Sequence, residues 1–246
     1  MNPTRKLQPL AAATTLILAG AAPVVAQAET SGNISIVSKY VLRGITSAAE
    51  NSGAALQGGF DWADDSGFYA GYWGSSLGYP SADGPELLDT TFENDFYGGY
   101  AGEIEGFSYD LGATYYYYLD TSDANGFELT AYVGFGPVTA GFKYLAQDLL
   151  WGNQGDMYWT VDYETDLPKD FGFAASLGYY TYEDSGKFIP STVEDSAFRH
   201  LNLSLSHPIG DTGADMSVTY IIGGKDRNGI DQEDAIVFGV GWGFDI

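Results

Sequence analysis

The sequence predicts an all-β chain, folded as a transmembrane antiparallel up-and-down β-barrel of about 12 strands. Three observations lead there. Apolar and polar side chains alternate with period two along most of the chain, the first residues form an export leader, and short connections alternate with longer ones.

The alternation is most complete in the last strand. There Ile236, Phe238, Val240, Trp242, Phe244 and Ile246 oppose Ala235, Val237, Gly239, Gly241, Gly243 and Asp245. Successive side chains of a strand point to opposite faces, so one face is bulky and apolar and the other small or polar. The pattern recurs upstream. Leu56, Phe60 and Trp62 oppose Gln57 and Asp61, and Phe107, Tyr109, Leu111, Tyr115 and Tyr117 oppose Asp110, Thr114, Tyr116 and Tyr118. Phe127, Leu129 and Val133 oppose Glu128 and Thr130, Met157, Trp159 and Val161 oppose Thr160, Asp162 and Glu164, and Leu201, Leu203 and Leu205 oppose His200, Asn202 and Ser204. Charges collect on one face. Parity alone does not say which face is inside; export, chain length and the terminal strand put lipid on the apolar side.

The leader consists of basic Arg5 and Lys6, an apolar stretch from Leu10 to Val25, and the small-x-small site Ala26-Gln27-Ala28. These features predict a cleaved signal peptide over residues 1–28 and one barrel domain over residues 29–246. Short links are expected at 63–67, 102–106, 136–137, 165–170 and 208–213. Longer ones are expected at 44–53, 78–89, 119–126, 148–155, 182–196 and 223–233. Short periplasmic turns alternating with longer outer loops are the pattern of a Gram-negative outer-membrane barrel, with both termini in the periplasm.

Composition excludes several classes. The chain holds 10 Lys+Arg against 33 Asp+Glu, a formal charge of -23. Arg5 and Lys6 leave with the leader, which takes the exported chain to about −25. Phosphate recognition needs a basic face, so nucleic acid is not an expected partner. Absence of cysteine excludes disulfides and thiolate sites, and two histidines offer little for a structural metal. No cofactor or metal is expected. Nineteen Tyr, 14 Phe and 5 Trp are the material of interfacial girdles.

Three segments carry a family resemblance: Ser38-Lys39-Tyr40-Val41-Leu42-Arg43-Gly44-Ile45, Ala55-Leu56-Gln57-Gly58-Gly59-Phe60-Asp61, and Ser66-Gly67-Phe68-Tyr69-Ala70-Gly71-Tyr72-Trp73-Gly74-Ser75. Together they resemble the TorF family of proteobacterial outer-membrane proteins. The resemblance covers the first three strands. It implies a barrel and a pore, supplies no substrate and no catalytic residue, and departs from many outer-membrane barrels in ending on Ile246 rather than an aromatic residue.

Parity places candidate lumen residues. The first strand offers Asn33, Ser35, Lys39 and Arg43, the second Gln57 and Asp61, and the fourth Glu93 and Asp95; later strands add Asp110, Glu128, Lys143, Asp162 and Glu164. A guanidinium confined in a lumen needs carboxylate partners, and Asp61 and Glu93 are the expected partners of Arg43. This set forms either a charged constriction or an ion-pair network that fills the lumen. Acidic loops such as Glu183-Asp184 and Glu233-Asp234 lack ordered calcium-ligand spacing.

The expected function is passive diffusion of small polar or cationic solutes through an acidic lumen, with outer-membrane lipid as the surroundings and the barrel-assembly machinery engaging the C-terminal strand. The alternatives are an interaction barrel with a closed lumen and functional outer loops, a lipid-modifying enzyme, and a soluble periplasmic barrel. No catalytic residue is assigned, because His200 falls on the polar face and His207 beside a turn, neither with a defensible partner pattern.

Overall fold

The computed structural model describes residues 29–47, 53–79, 89–119 and 121–246. The expected signal peptide and most of the 78–89 link lie outside the described residues. Twelve strands follow one another: β1 (Glu29–Val37), β2 (Ala55–Ala63), β3 (Phe68–Tyr79), β4 (Asp89–Ile104), β5 (Phe107–Tyr118), β6 (Gly126–Phe135), β7 (Val138–Leu145), β8 (Met157–Leu167), β9 (Phe171–Thr181), β10 (Ser196–Pro208), β11 (Ala214–Gly223) and β12 (Ala235–Asp245). Each pairs antiparallel with its sequence neighbours. The sheet closes where β1 meets β12, from Ser31↔Asp245 to Val37↔Gly239. The turns at 64–67, 105–106, 136–137, 168–170 and 209–213 are short, and the links at the other end are longer, as the sequence predicts.

The two faces are sorted by polarity in the reverse sense to a soluble barrel. Ile36 (59%), Leu111 (59%) and Phe238 (60%) are exposed on the outside. Gln57 (2%), Glu128 (1%) and Asp162 (4%) are buried inside. Leucines facing out and carboxylates facing in are stable together only where the outer solvent is hydrocarbon. Aromatic pairs band the outer rim near the short turns, where Phe68 meets Tyr100 (ring centroids 5.1 Å apart) and Phe107 meets Phe135 (4.8 Å). Near the long links Tyr115 meets Phe127 (4.6 Å) and Phe142 meets Trp159 (5.2 Å). Such rings suit the two membrane–water boundaries.

Two local departures from the parity reading shape the interior. β1 stops at Val37, so Lys39 and Arg43 are not on the first strand. The chain turns inward because Tyr40 and Val41 bury completely against the inner wall, which outweighs continuing the ladder. In β10 the register shifts between Phe198 and His200, a β-bulge that turns both Arg199 and His200 inward.

Val161 sits mid-strand on the outer face and is 48% exposed. Val161→Arg should destabilise the folded barrel by about 2–4 kcal/mol, the cost of a cation at bilayer mid-depth. Urea unfolding in lipid vesicles measures it, and Thr130→Ser on the inner face should be near neutral by comparison.

Candidate functional site

The interior at the long-link end is crossed by the segment 38–47. Ser38 makes the last contact of β1 with β12, its N–H donating to the Phe238 carbonyl (2.8 Å) and its Oγ accepting from the Phe238 N–H (2.9 Å). The chain then dives inward. Tyr40, Val41 and Val37 pack with Ala55, Leu77, Tyr116, Tyr118, Ile221 and Val237 in a small apolar cluster. The Ile45 N–H donates to the Leu42 carbonyl (3.0 Å), closing a turn in which Arg43 (φ 46°) and Gly44 (φ 74°) are both left-handed. Glycine is required at 44 on two counts: its φ, and the closeness of the β10 backbone. A Cβ there would lie 2.6 Å from His200 Cβ and 2.7 Å from the Arg199 carbonyl oxygen.

This turn delivers Arg43 into the lumen, against the inner wall of β5–β9. Its guanidinium grips Glu128 of β6 with both forks, Nη1 to Oε1 at 2.8 Å and Nη2 to Oε2 at 2.5 Å. Nη1 also donates to the Tyr180 hydroxyl (2.6 Å) and Nη2 to that of Tyr116 (3.2 Å), and the cation lies 4.8 Å from the centroid of the Tyr158 ring. Tyr116 completes the carboxylate by donating to Oε2 (2.7 Å). A buried ion pair is tolerated when every remaining donor and lone pair is satisfied, and here they nearly are.

Two further arginines extend this arrangement toward the outer loops. Arg199, on the β10 bulge, donates Nε (3.3 Å) and Nη2 (3.2 Å) to the Arg43 carbonyl, and Nη1 to Tyr182 Oη (3.2 Å) and the Lys225 carbonyl (3.1 Å). Arg227, in the β11–β12 link, pairs with Asp156 and donates to the Glu183 carbonyl (3.0 Å) and Thr192 Oγ1 (2.6 Å), joining three outer links. Tyr180 and Tyr182 stack at 4.9 Å between these cations. Partial burial pushes the Asp156 carboxyl up in spite of its backbone donors and Arg227. Nearby Asp148, partly exposed and accepting the N–H groups of Gln154 and Lys187, is held below the ordinary carboxylate range.

Most sequence-predicted lumen residues lie on the inner wall. Gln57, Glu93, Asp95, Asp110, Glu128, Lys143 and Asp162 are buried there, and Asp61 and Glu164 are half-buried nearer the short turns. Lys39 is half-buried on the segment leaving β1, before the turn that carries Arg43. The partners expected for Arg43 are corrected. Asp61 accepts from Tyr97, Glu93 accepts from Tyr40 (2.8 Å), and Arg43 reaches across to Glu128 instead, because the inward turn starts it from the opposite side of the lumen. Asp110 accepts from Tyr69 (2.8 Å). Sequence reasoning missed Arg199, which parity assigns to the outer face beside Leu201. A lone arginine at a lipid-facing position was the available signal for the bulge. It also missed Arg227 and the tyrosines that solvate the guanidinium groups. His200 bonds Tyr158 (2.6 Å) inside the lumen, away from the lipid face.

Glu128→Gln should cost about 3–5 kcal/mol, since it leaves Arg43 as an uncompensated buried cation. Arg43→Met with Glu128→Leu should recover most of that loss. Denaturant unfolding of the reconstituted protein separates the two outcomes.

Among solved structures, the fold is similar to the KdgM porin, with a TM-score of 0.54, 11% identity, and 88% of this chain and 99% of that chain covered. It is also similar to the Salmonella typhi outer membrane phospholipase dimer with bound calcium (TM-score 0.45, 13% identity, 86% and 88% covered). A third likeness is to Pseudomonas aeruginosa OccK5 (TM-score 0.42, 12% identity, 87% and 63% covered). The sequence matches no curated protein. Residues 21–240 match the family described as "Bacterial protein of unknown function (Gcw_chp)", and the chain belongs to that family.

Proposed function

We propose that this protein is a porin-like channel of the bacterial outer membrane, passing small polar or cationic solutes through an acidic lumen. One observation carries the reading: a closed barrel with an apolar belt outside encloses the carboxylates of Asp61, Glu93, Asp95, Asp110, Glu128, Asp162 and Glu164. Against them stand the interior cations Arg43, Lys143 and Arg199. Excess carboxylate in a confined, low-dielectric path favours cations over anions. Likeness of fold to the KdgM porin and the TorF-like motif both fit this reading. Export through a cleaved leader and engagement of β12 by the assembly machinery belong to the same proposal.

A second reading draws on the 38–47 segment. Its Arg43–Glu128 bridge spans the lumen, so the wild-type barrel would be closed and its outer loops functional. Planar-bilayer recording tests both. The channel reading expects single-channel steps and a reversal potential of cation preference in a salt gradient; silence or anion preference overturns it. Tyr40→Ala with Arg43→Ala, which empties the crossing segment of its two anchors, should raise conductance severalfold. A silent wild type whose double variant conducts would establish the closed form.

A further inference from the structure

Of the interior cations Arg43, Lys143 and Arg199, two are locked by directed contacts. Arg43 is held on Glu128 and two phenols, and Arg199 on two backbone carbonyls and Tyr182. Lys143 of β7 is held differently. It is 8% exposed and faces inward between Thr130 of β6 and Tyr158 of β8. Its ammonium makes no contact ion pair among the described residues. What balances it is the field of three carboxylates, Glu128, Asp95 and Glu93, with the Arg43 guanidinium as the opposing charge.

Two of those three carboxylates are already engaged. Glu128, the next inward residue along β6 from Thr130, accepts from Arg43 and Tyr116, and Glu93 accepts from Tyr40 (2.8 Å). Asp95 Oδ1 is buried without a hydrogen-bond partner, and Lys143 is among the charges that act on this carboxylate. Asp95 differs in this from Asp61 and Asp110, which accept from Tyr97 and Tyr69, and from Asp162, which accepts from Ser176 and Thr160. Asp95 and Lys143 therefore attract across a gap instead of closing a bridge. Lysine suits that role: it is a point charge on a flexible stem and can shift without breaking a fixed geometry, as a forked arginine cannot.

We infer that Lys143 sets the charge selectivity of the lumen. Its ammonium is a tethered cation standing among Glu93, Asp95 and Glu128, where a mobile cation would otherwise be drawn. The inference rests on the channel reading and names the residue that tunes it. With Lys143 present, three carboxyl groups face two cations. Without it they face Arg43 alone, and the attraction for a mobile cation rises.

Planar-bilayer reversal potentials in a potassium chloride gradient test it, with the wild type, Lys143→Met, Lys143→Arg, Asp95→Asn, and Lys143→Met combined with Asp95→Asn. Lys143→Met should raise the permeability ratio of potassium over chloride severalfold, as expected for loss of a unit charge from a confined, low-dielectric interior. Lys143→Arg should keep the ratio near that of the wild type. Asp95→Asn should lower it, and the double variant, which removes one charge of each sign, should return it toward the wild-type value. If Lys143→Met alone leaves too much buried negative charge for the barrel to assemble, the effect of the lysine is read as the rise from Asp95→Asn to the double variant. A lysine that only supported the fold would change barrel yield and heat stability without moving the ratio. A ratio unmoved by loss of Lys143 in both backgrounds overturns the inference and leaves the channel standing. If the wild type is silent, the same series is read in the protein carrying Tyr40→Ala and Arg43→Ala. Silence there too overturns the channel reading, and the inference with it.

Discussion

Closure of β1 on β12 is the constraint from which the rest of this structure follows. Inside hydrocarbon an unpaired backbone N–H or C=O costs several kcal/mol, so a sheet can cross only if it has no free edge. The ladder from Ser31↔Asp245 to Val37↔Gly239 removes the last edge. Once the sheet is closed, the period-two alternation must place one set of side chains in lipid and the other in a narrow interior. The apolar set goes out. The interior is thereby committed to polar side chains that water reaches poorly, and each needs a partner supplied by the protein or by a solute.

The chain meets that demand with tyrosine and arginine. Its acids far outnumber its bases, so guanidinium groups cannot cap every carboxylate; phenols take that role for Asp61, Glu93 and Asp110. The arginines downstream of residue 28, Arg43, Arg199 and Arg227, are all buried along one side of the barrel, against tyrosines of β8 and β9 and the link that follows. Lysine could not replace them there. Arg43 serves two carboxylate oxygens and two phenols from one plane, and Arg199 holds one carbonyl with two nitrogens. The consequence is mechanical. Arg199 fastens the turn that carries Arg43, and Arg227 fastens the loops above it, so the crossing segment and the outer links are joined through one column.

How much of this was legible in the sequence depends on whether parity held. Wherever a strand ran without interruption, as in β5 or β8, alternation identified Tyr116, Asp162 and their neighbours as interior residues. It could not read the end of β1. Lys39 and Arg43 continue the alternation on paper, while Tyr40 and Val41 gain more by leaving the ladder to fill the space between β2, β5 and β12. Nor could it read β10, where a single inserted residue reverses the facing of everything upstream of His200. The partner of Arg43 was illegible for a related reason. Sequence neighbours on β2 and β4 are the natural choices for a residue on β1, but a turn that projects across the lumen selects its partner from the far wall.

The lumen is therefore asymmetric along its axis. Near the long links it is crossed by the 38–47 segment and dense with satisfied contacts. Toward the short turns it is lined by phenol–carboxylate pairs, and the rings of Tyr97 and Tyr132 lie on Gly71 and Gly141 rather than reaching across the axis. A large side chain laid on glycine adds a hydrogen-bonding group to the wall at little cost in width. In the first half interactions hold the crossing segment to the wall; in the second, wall groups pair with neighbours on adjacent strands, as Tyr69 does with Asp110 and Ser176 with Asp162. On the proposed channel reading, a solute entering by the short-turn end would meet an acidic wall before it met the Arg43 bridge. On that reading, charge would act on a solute before size restricts it, because those carboxylates would meet it where it still has room to turn.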